Sequence, residues 1–134
     1  MDDRPTAEEL IDAVRLFLER ELLPALGDAR LRFQTLVAAN CLAIAARDLP
    51  CEEQWLREEW ARLTALVGET ALLPASLSEL RLAVRQANEV LCERIRAGVF
   101  DEPARFEEAA RELRQQVVRK LVVANPKYLG NFAT

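Results

Sequence analysis

Three observations predict an all-α fold: apolar residues recur at three- and four-residue spacing through five segments, helix-start and helix-stop residues punctuate those segments, and no β-type alternation of useful length occurs. Enrichment in Ala, Leu, Glu and Arg points the same way. With 134 residues, 51% apolar and 30% charged, the composition is that of a folded domain and far from that of a disordered chain. A chain of this length buries roughly two-thirds of its extended surface behind one core. The expected organisation is a single-domain antiparallel bundle of about five helices over residues 1–124, followed by a tail, 125–134, that packs back on it.

Pro5-Thr6 followed by Glu9 has the form of a capping box, so the first helix starts there. Leu10, Ile11, Val14, Phe17, Leu18 and Leu22 form an apolar stripe that should be buried, and Pro24 with Gly27 closes the segment. Asp28 suits the cap of a second helix from about Ala29 to Arg47. That helix is apolar around much of its circumference, which places it centrally in the bundle.

Pro50 fits the first turn of a third helix, whose stripe is Leu56, Trp60, Leu63 and Val67 and whose stop is Gly68. Ser76 with Glu79 repeats the capping box and opens a fourth helix, carrying Leu77, Leu80, Val84, Leu91 and Ile95 up to Gly98. Asp101 and Pro103 open a fifth, with Phe106, Ala110, Leu113, Val117 and Leu121 inward and Asn125-Pro126 as its end. The remaining segment reads as a tail and not as a sixth helix, yet Tyr128, Leu129 and Phe132 make it too apolar to be freely solvated.

The chain has no histidine, which removes the commonest metal ligand and the commonest general base together. Neighbouring glutamates point about 100° apart on a helix, so no carboxylate doublet converges on its own. A helical di-iron site in its usual Glu-x-x-His form cannot be built, and no phosphate-binding glycine loop or nucleophile elbow is present. These features predict no metal, no cofactor and no catalytic set. Cys41, Cys51 and Cys92 are odd in number and widely spaced, which argues against a disulfide framework. Cys41 and Cys92 fall on apolar faces and should behave as small buried hydrophobes.

The net charge is −4 and no segment is strongly basic, so nucleic acid is not expected as a partner. The start is acidic and polar, no apolar run approaches the roughly 20 residues of a membrane span, and a cytoplasmic, non-membrane protein is expected.

Two amides stand out. Asn40 lies one turn from Leu36, Val37 and Ile44, and Asn88 lies beside Val84, Leu91 and Cys92, so both should point inward. They either bond within the core and fix helix register, or line a polar pocket between the second and fourth helices. Arg81 and Arg85, one turn apart, would stand at the mouth of such a pocket and grip an anionic group, or else form a solvated face with Glu89. Trp55 lies off its helix's stripe, so it either extends the core or sits on the surface, where with Tyr128 and Phe132 it is a candidate interface anchor.

The stretches RPTAEELIDAVRLFL (Arg4 to Leu18), LLPAL (Leu22 to Leu26), RFQTLVAANCLAI (Arg32 to Ile44) and LVVANPKYL (Leu121 to Leu129) resemble a family of small bacterial helical proteins classed as a domain of unknown function. The resemblance implies genes encoded beside aminoglycoside-phosphotransferase-like kinases and acyl-CoA dehydrogenases, and hence an accessory role in such a pathway. It carries no catalytic residues, and it directs attention to Asn40 and to Asn125 through Tyr128. The expected function is a non-enzymatic accessory or interaction domain that binds a protein partner or itself as a homo-oligomer. The alternative is a small-molecule-binding domain with the Asn40, Asn88, Arg81 and Arg85 pocket.

Overall fold

The computed structural model describes residues 3–130, and among them the fold is all-α as expected. Local signals set most helix ends where the sequence places them. Thr6 accepts from the Glu9 N–H at 3.2 Å while the Glu9 carboxylate accepts from the Thr6 N–H at 2.8 Å, opening α1, Ala7–Phe17. The chain continues without a break through a π-helical turn, Leu18–Leu22, in which the Leu23 N–H reaches back to the Leu18 carbonyl. A last α-turn, Leu23–Ala25, comes after it.

Asp28 caps α2, Ala29–Asp48, through the Leu31 N–H at 2.8 Å. α3 is Glu52–Val67, and α4, Leu77–Arg96, begins at the Ser76/Glu79 capping box. Both α3 and α4 end at a glycine with positive φ, Gly68 at 72° and Gly98 at 82°. In each case the residue after the glycine closes the six-residue loop of a Schellman ending: Glu69 N–H on Thr64 O, and Val99 N–H on Arg94 O. α5 is Pro103–Ala124. The expected tail contains a sixth short helix instead, α6, Pro126–Gly130. Proline at its first position has its fixed φ and missing N–H where a helix start tolerates both.

The helices fall into two compact units. The first holds the chain up to Cys51 together with the residues from Val122 onward, and the second is Glu52–Leu121. In the first unit α1 packs on α2 as a helical hairpin, closed where Arg32 donates to the Leu23 and Leu26 carbonyls at 2.8 and 3.1 Å. Arg47 donates to the Val123 carbonyl at 2.7 Å and ties in the end of α5. The only fully buried members of α2 are Ala39 and Ala46 and α1 has none, while Ile11, Leu16, Leu42 and Ile44 are half-buried. This corrects two expectations. The α1 stripe is half-buried at Ile11, Leu18 and Leu22 and open at Leu10, Val14 and Phe17, and α2, expected to be covered around much of its circumference, keeps Leu31, Phe33, Leu36 and Val37 exposed.

The second unit holds the main core: Leu63, Leu66, Val67, Leu80, Val84, Ala87, Leu91, Phe100 and Ala109, with Leu56, Trp60 and Val90 packed against it. Each fully closed leucine contributes roughly 1.5–3 kcal/mol. α3 and α4 form its hairpin on the stripes read from the sequence. α5 turns differently. Its buried residues are Ala109, Glu112 and Gln116, while Phe106 and Val117 are exposed. Polar bonds to α3 fix this rotation: Arg62 pairs with Glu112 at 3.0 Å, Arg119 with Glu58, and Arg105 donates to the Leu66 carbonyl at 3.3 Å.

Candidate functional site

Within the second unit, α3, α4 and α5 enclose an open groove of about 580 Å³. The spacing of 81, 85 and 88 puts Arg81, Arg85 and Asn88 on one face of α4, and the groove is walled by Leu56, Val84, Leu113 and Val117. Arg81 grips Glu52 with two bonds, at 2.6 and 2.8 Å. The hydrogen bond from this guanidinium holds the Glu52 carboxyl below its ordinary pKa. The Asn88 amide donates to Glu59 at 3.1 Å and to the Val84 carbonyl at 3.0 Å.

Two cations on the groove, Arg85 and Lys120, make no ion pair among the described residues. Gln116, 6% exposed, also lines it, and its Nε2 has no hydrogen-bond partner. A donor buried in that state costs about 1–3 kcal/mol, so it marks a place where an acceptor is missing.

The structure thus brings Asn88, Arg81 and Arg85 together and separates Asn40 from them. Asn40 belongs to the first unit and is exposed, so no site within either unit contains both asparagines. It lies on the helical face that its spacing predicts, but nothing covers that face among the described residues. Arg81 pairs with Glu52, which lies across from it at the start of α3, and the alternative of a solvated Arg81 and Arg85 face paired with Glu89 finds no ion pair to Glu89 among the described residues. Trp55 is half-buried, with the Arg119 guanidinium 5.5 Å over its ring, so it serves the α3–α5 contact and is not an open anchor. Tyr128 is 46% exposed on α6, and Phe132 lies outside the described residues. Cys41 and Cys92 are exposed rather than buried, and the Cys51 thiol donates to the Arg47 carbonyl at 3.2 Å.

Glu112 and Gln116 were not foreseen. The signal for them was present in the row Arg105, Ala109, Glu112, Gln116, Arg119, a polar line at helical spacing beside the apolar one.

A second feature lies on the first unit. α1 is strongly amphipathic, yet Leu10, Val14 and Phe17 each keep more than half of their surface exposed. On α2, Phe33 (66%), Leu36 (50%) and Val37 (46%) are also open, with the exposed Asn40 one turn beyond Leu36 at the C-terminal end of their stripe. Apolar stripes this open on two neighbouring helices are candidates for a covering partner.

Among the described residues no three His, Cys, Asp or Glu side chains come together to hold a metal, and no helix is long and apolar enough to cross a membrane. A family model described as Domain of unknown function (DUF6285) matches residues 24–128, so the Arg4 to Leu18 stretch lies ahead of the matched region. No curated protein and no solved structure matches the chain.

Proposed function

The chain belongs to the DUF6285 family, and from its geometry we propose that it works as a cytoplasmic accessory module that acts by binding protein through the open apolar faces of its first unit. The observation that carries this reading is an amphipathic helix, α1, that buries none of its residues. Together with the α2 stripe it presents on the order of 600 Å² of apolar side-chain surface. That approaches the roughly 800 Å² each partner gives to a standard interface.

The partner we favour is a second copy of the chain. Acidic side chains (Glu8, Glu9, Asp12) dominate α1 and arginines (Arg30, Arg32, Arg47) dominate α2. A twofold axis that sets α1 of one copy on α2 of the other satisfies both stripes twice, with like charges kept apart. Asn40 then sits inside an apolar seam, the position at which one amide selects register and number of helices.

Size-exclusion chromatography with light scattering at about 10–100 μM tests this, since an interface of this size supports micromolar association. A dimer is expected, reduced to monomer by Phe33→Glu or Val14→Glu with the circular dichroism unchanged. A monomer throughout that range overturns self-association. The surface would then belong to a different protein, for which the kinase-like and acyl-CoA enzymes implied by the family resemblance are the first to try.

A further inference from the structure

We propose that the groove of the second unit is a binding site for a small amphipathic anion, with a carboxylate or phosphate held by Arg85 and Lys120, a hydrocarbon body against the apolar walls, and an acceptor oxygen bonded to Gln116. This goes beyond the interaction reading and uses residues of the other unit. A volume of about 580 Å³ falls in the range of ligand sites.

Chemistry divides the groove into three parts. Arg81 is already neutralised by Glu52, and Glu59, which accepts from the neutral Asn88 amide, keeps its negative charge, so Arg85 and Lys120 outweigh it and the charge left for a ligand is positive. Leu56, Val84, Leu113 and Val117 give the walls an apolar surface on which a chain of methylenes is favoured over water. The third part is the independent sign of a ligand: the Gln116 Nε2 donor, in a side chain more than nine-tenths buried, has nothing to bond to. Nε2 is closed to solvent in the unligated groove, so the bond requires the Gln116 amide to turn toward the ligand, where an ester, amide or ketone oxygen in its body, or one oxygen of its head group, supplies what the protein omits. Polar recognition of this kind gives specificity because the unligated site retains the unpaired donor.

The test uses the full chain, labelled with ¹⁵N, titrated with hexanoate and with hexyl phosphate, and in parallel with neutral hexanol and with inorganic phosphate. Saturable binding of at least one amphipathic anion is expected with a dissociation constant of about 1 mM or tighter. The Gln116 side-chain amide signal should be among the resonances that move. Hexanol and inorganic phosphate should bind at least about tenfold more weakly, because each offers one half of the required chemistry.

Arg85→Gln and Lys120→Gln are exposed substitutions that leave the core alone, and each should weaken the anion about tenfold. Which head group wins identifies the source as a carboxylate or a phosphate ester. No saturable binding by either anion overturns the proposal. So does binding that neither charge substitution weakens, or that leaves the Gln116 amide signal unmoved.

Discussion

Replacing Gln116 and Glu112 by methionine, one at a time, should move stability in opposite directions although the two residues sit one turn apart on α5 and are almost equally enclosed, at 6% and 7% exposed. Gln116 holds an unpartnered donor. Methionine has nearly its volume and shape without the donor, so Gln116→Met should stabilise the second unit by about 1–2 kcal/mol. Glu112 accepts from Arg62 Nε at 3.0 and 3.2 Å. Its loss leaves Arg62, whose Nη2 is already without a partner, with only the longer pair to Glu58 at 3.8 Å. Breaking a fully buried pair costs about 3–5 kcal/mol, but Arg62 keeps 31% of its side chain in water, so Glu112→Met should cost about 1–3 kcal/mol. Both tryptophans, Trp55 and Trp60, lie in the second unit, so urea or thermal unfolding monitored by their fluorescence reports on that unit. A unit of this size shifts in melting temperature by about 4–8 °C per kcal/mol. If Gln116→Met destabilises by about 1 kcal/mol or more, the amide is bonded in the native protein and the reasoning from its unpaired donor fails.

Acid should loosen the same unit. Arg81 holds Glu52, and Gln54 together with Arg119 holds Glu58, below the ordinary carboxylate pKa. Groups whose folded pKa is depressed add stability above the unfolded value, near 4.3 for Glu, and lose it as pH falls through the folded value, so the urea midpoint should drop between about pH 6 and pH 3 and Arg81→Met should flatten that drop. A midpoint that ignores pH in this window contradicts the assignment. Gly98→Ala should cost about 1–2 kcal/mol and more than Gly68→Ala, since both have positive φ but only at Gly98 does an added Cβ meet a side chain, Asp101 Oδ2 at 2.9 Å. Adding Asp101→Ala should bring the two unfolding free energies together. Ser76→Ala removes the acceptor for the Glu79 N–H and should cost about 1 kcal/mol in the same fluorescence assay, with no effect on oligomeric state.

Signals that act over three or four residues were legible in the sequence. Thr6, Asp28, Ser76, Gly68 and Gly98 each do what their chemistry requires regardless of the rest of the chain. The stripes of α3 and α4 were legible because their two partners are adjacent in sequence and face each other. Periodicity defines a face without saying whether anything covers it, and that is where Asn40, Cys41 and the α1 stripe were misplaced. α5 was misread for a different reason. Its apolar row and its polar row are both regular, and the choice between them was made by Arg62, 50 residues earlier, whose pairing with Glu112 no local rule reveals. Half of the groove, Asn88 with Arg81 and Arg85, was legible as one face of one helix. Gln116 and Lys120 were not, since they depend on how α5 is rotated.

The π-turn at Leu18–Leu22 gives α1 a property that an uninterrupted α-helix lacks. Such a turn accommodates one residue more than the α-helical pitch, a phase slip of about 100° between the helix on its N-terminal side and the helix on its C-terminal side. Downstream, Leu22 and Leu23 are half-enclosed in the hairpin, whereas upstream Leu10, Val14 and Phe17 face outward. Deleting one residue from this turn would restore plain α-helix and leave the upstream stripe facing the same way, because the wider turn already absorbs that residue, with the Thr6 cap and the α1–α2 connection unchanged in sequence. The turn therefore keeps the aim of the binding face through a one-residue change in length, which in an uninterrupted α-helix would rotate that face by about 100°.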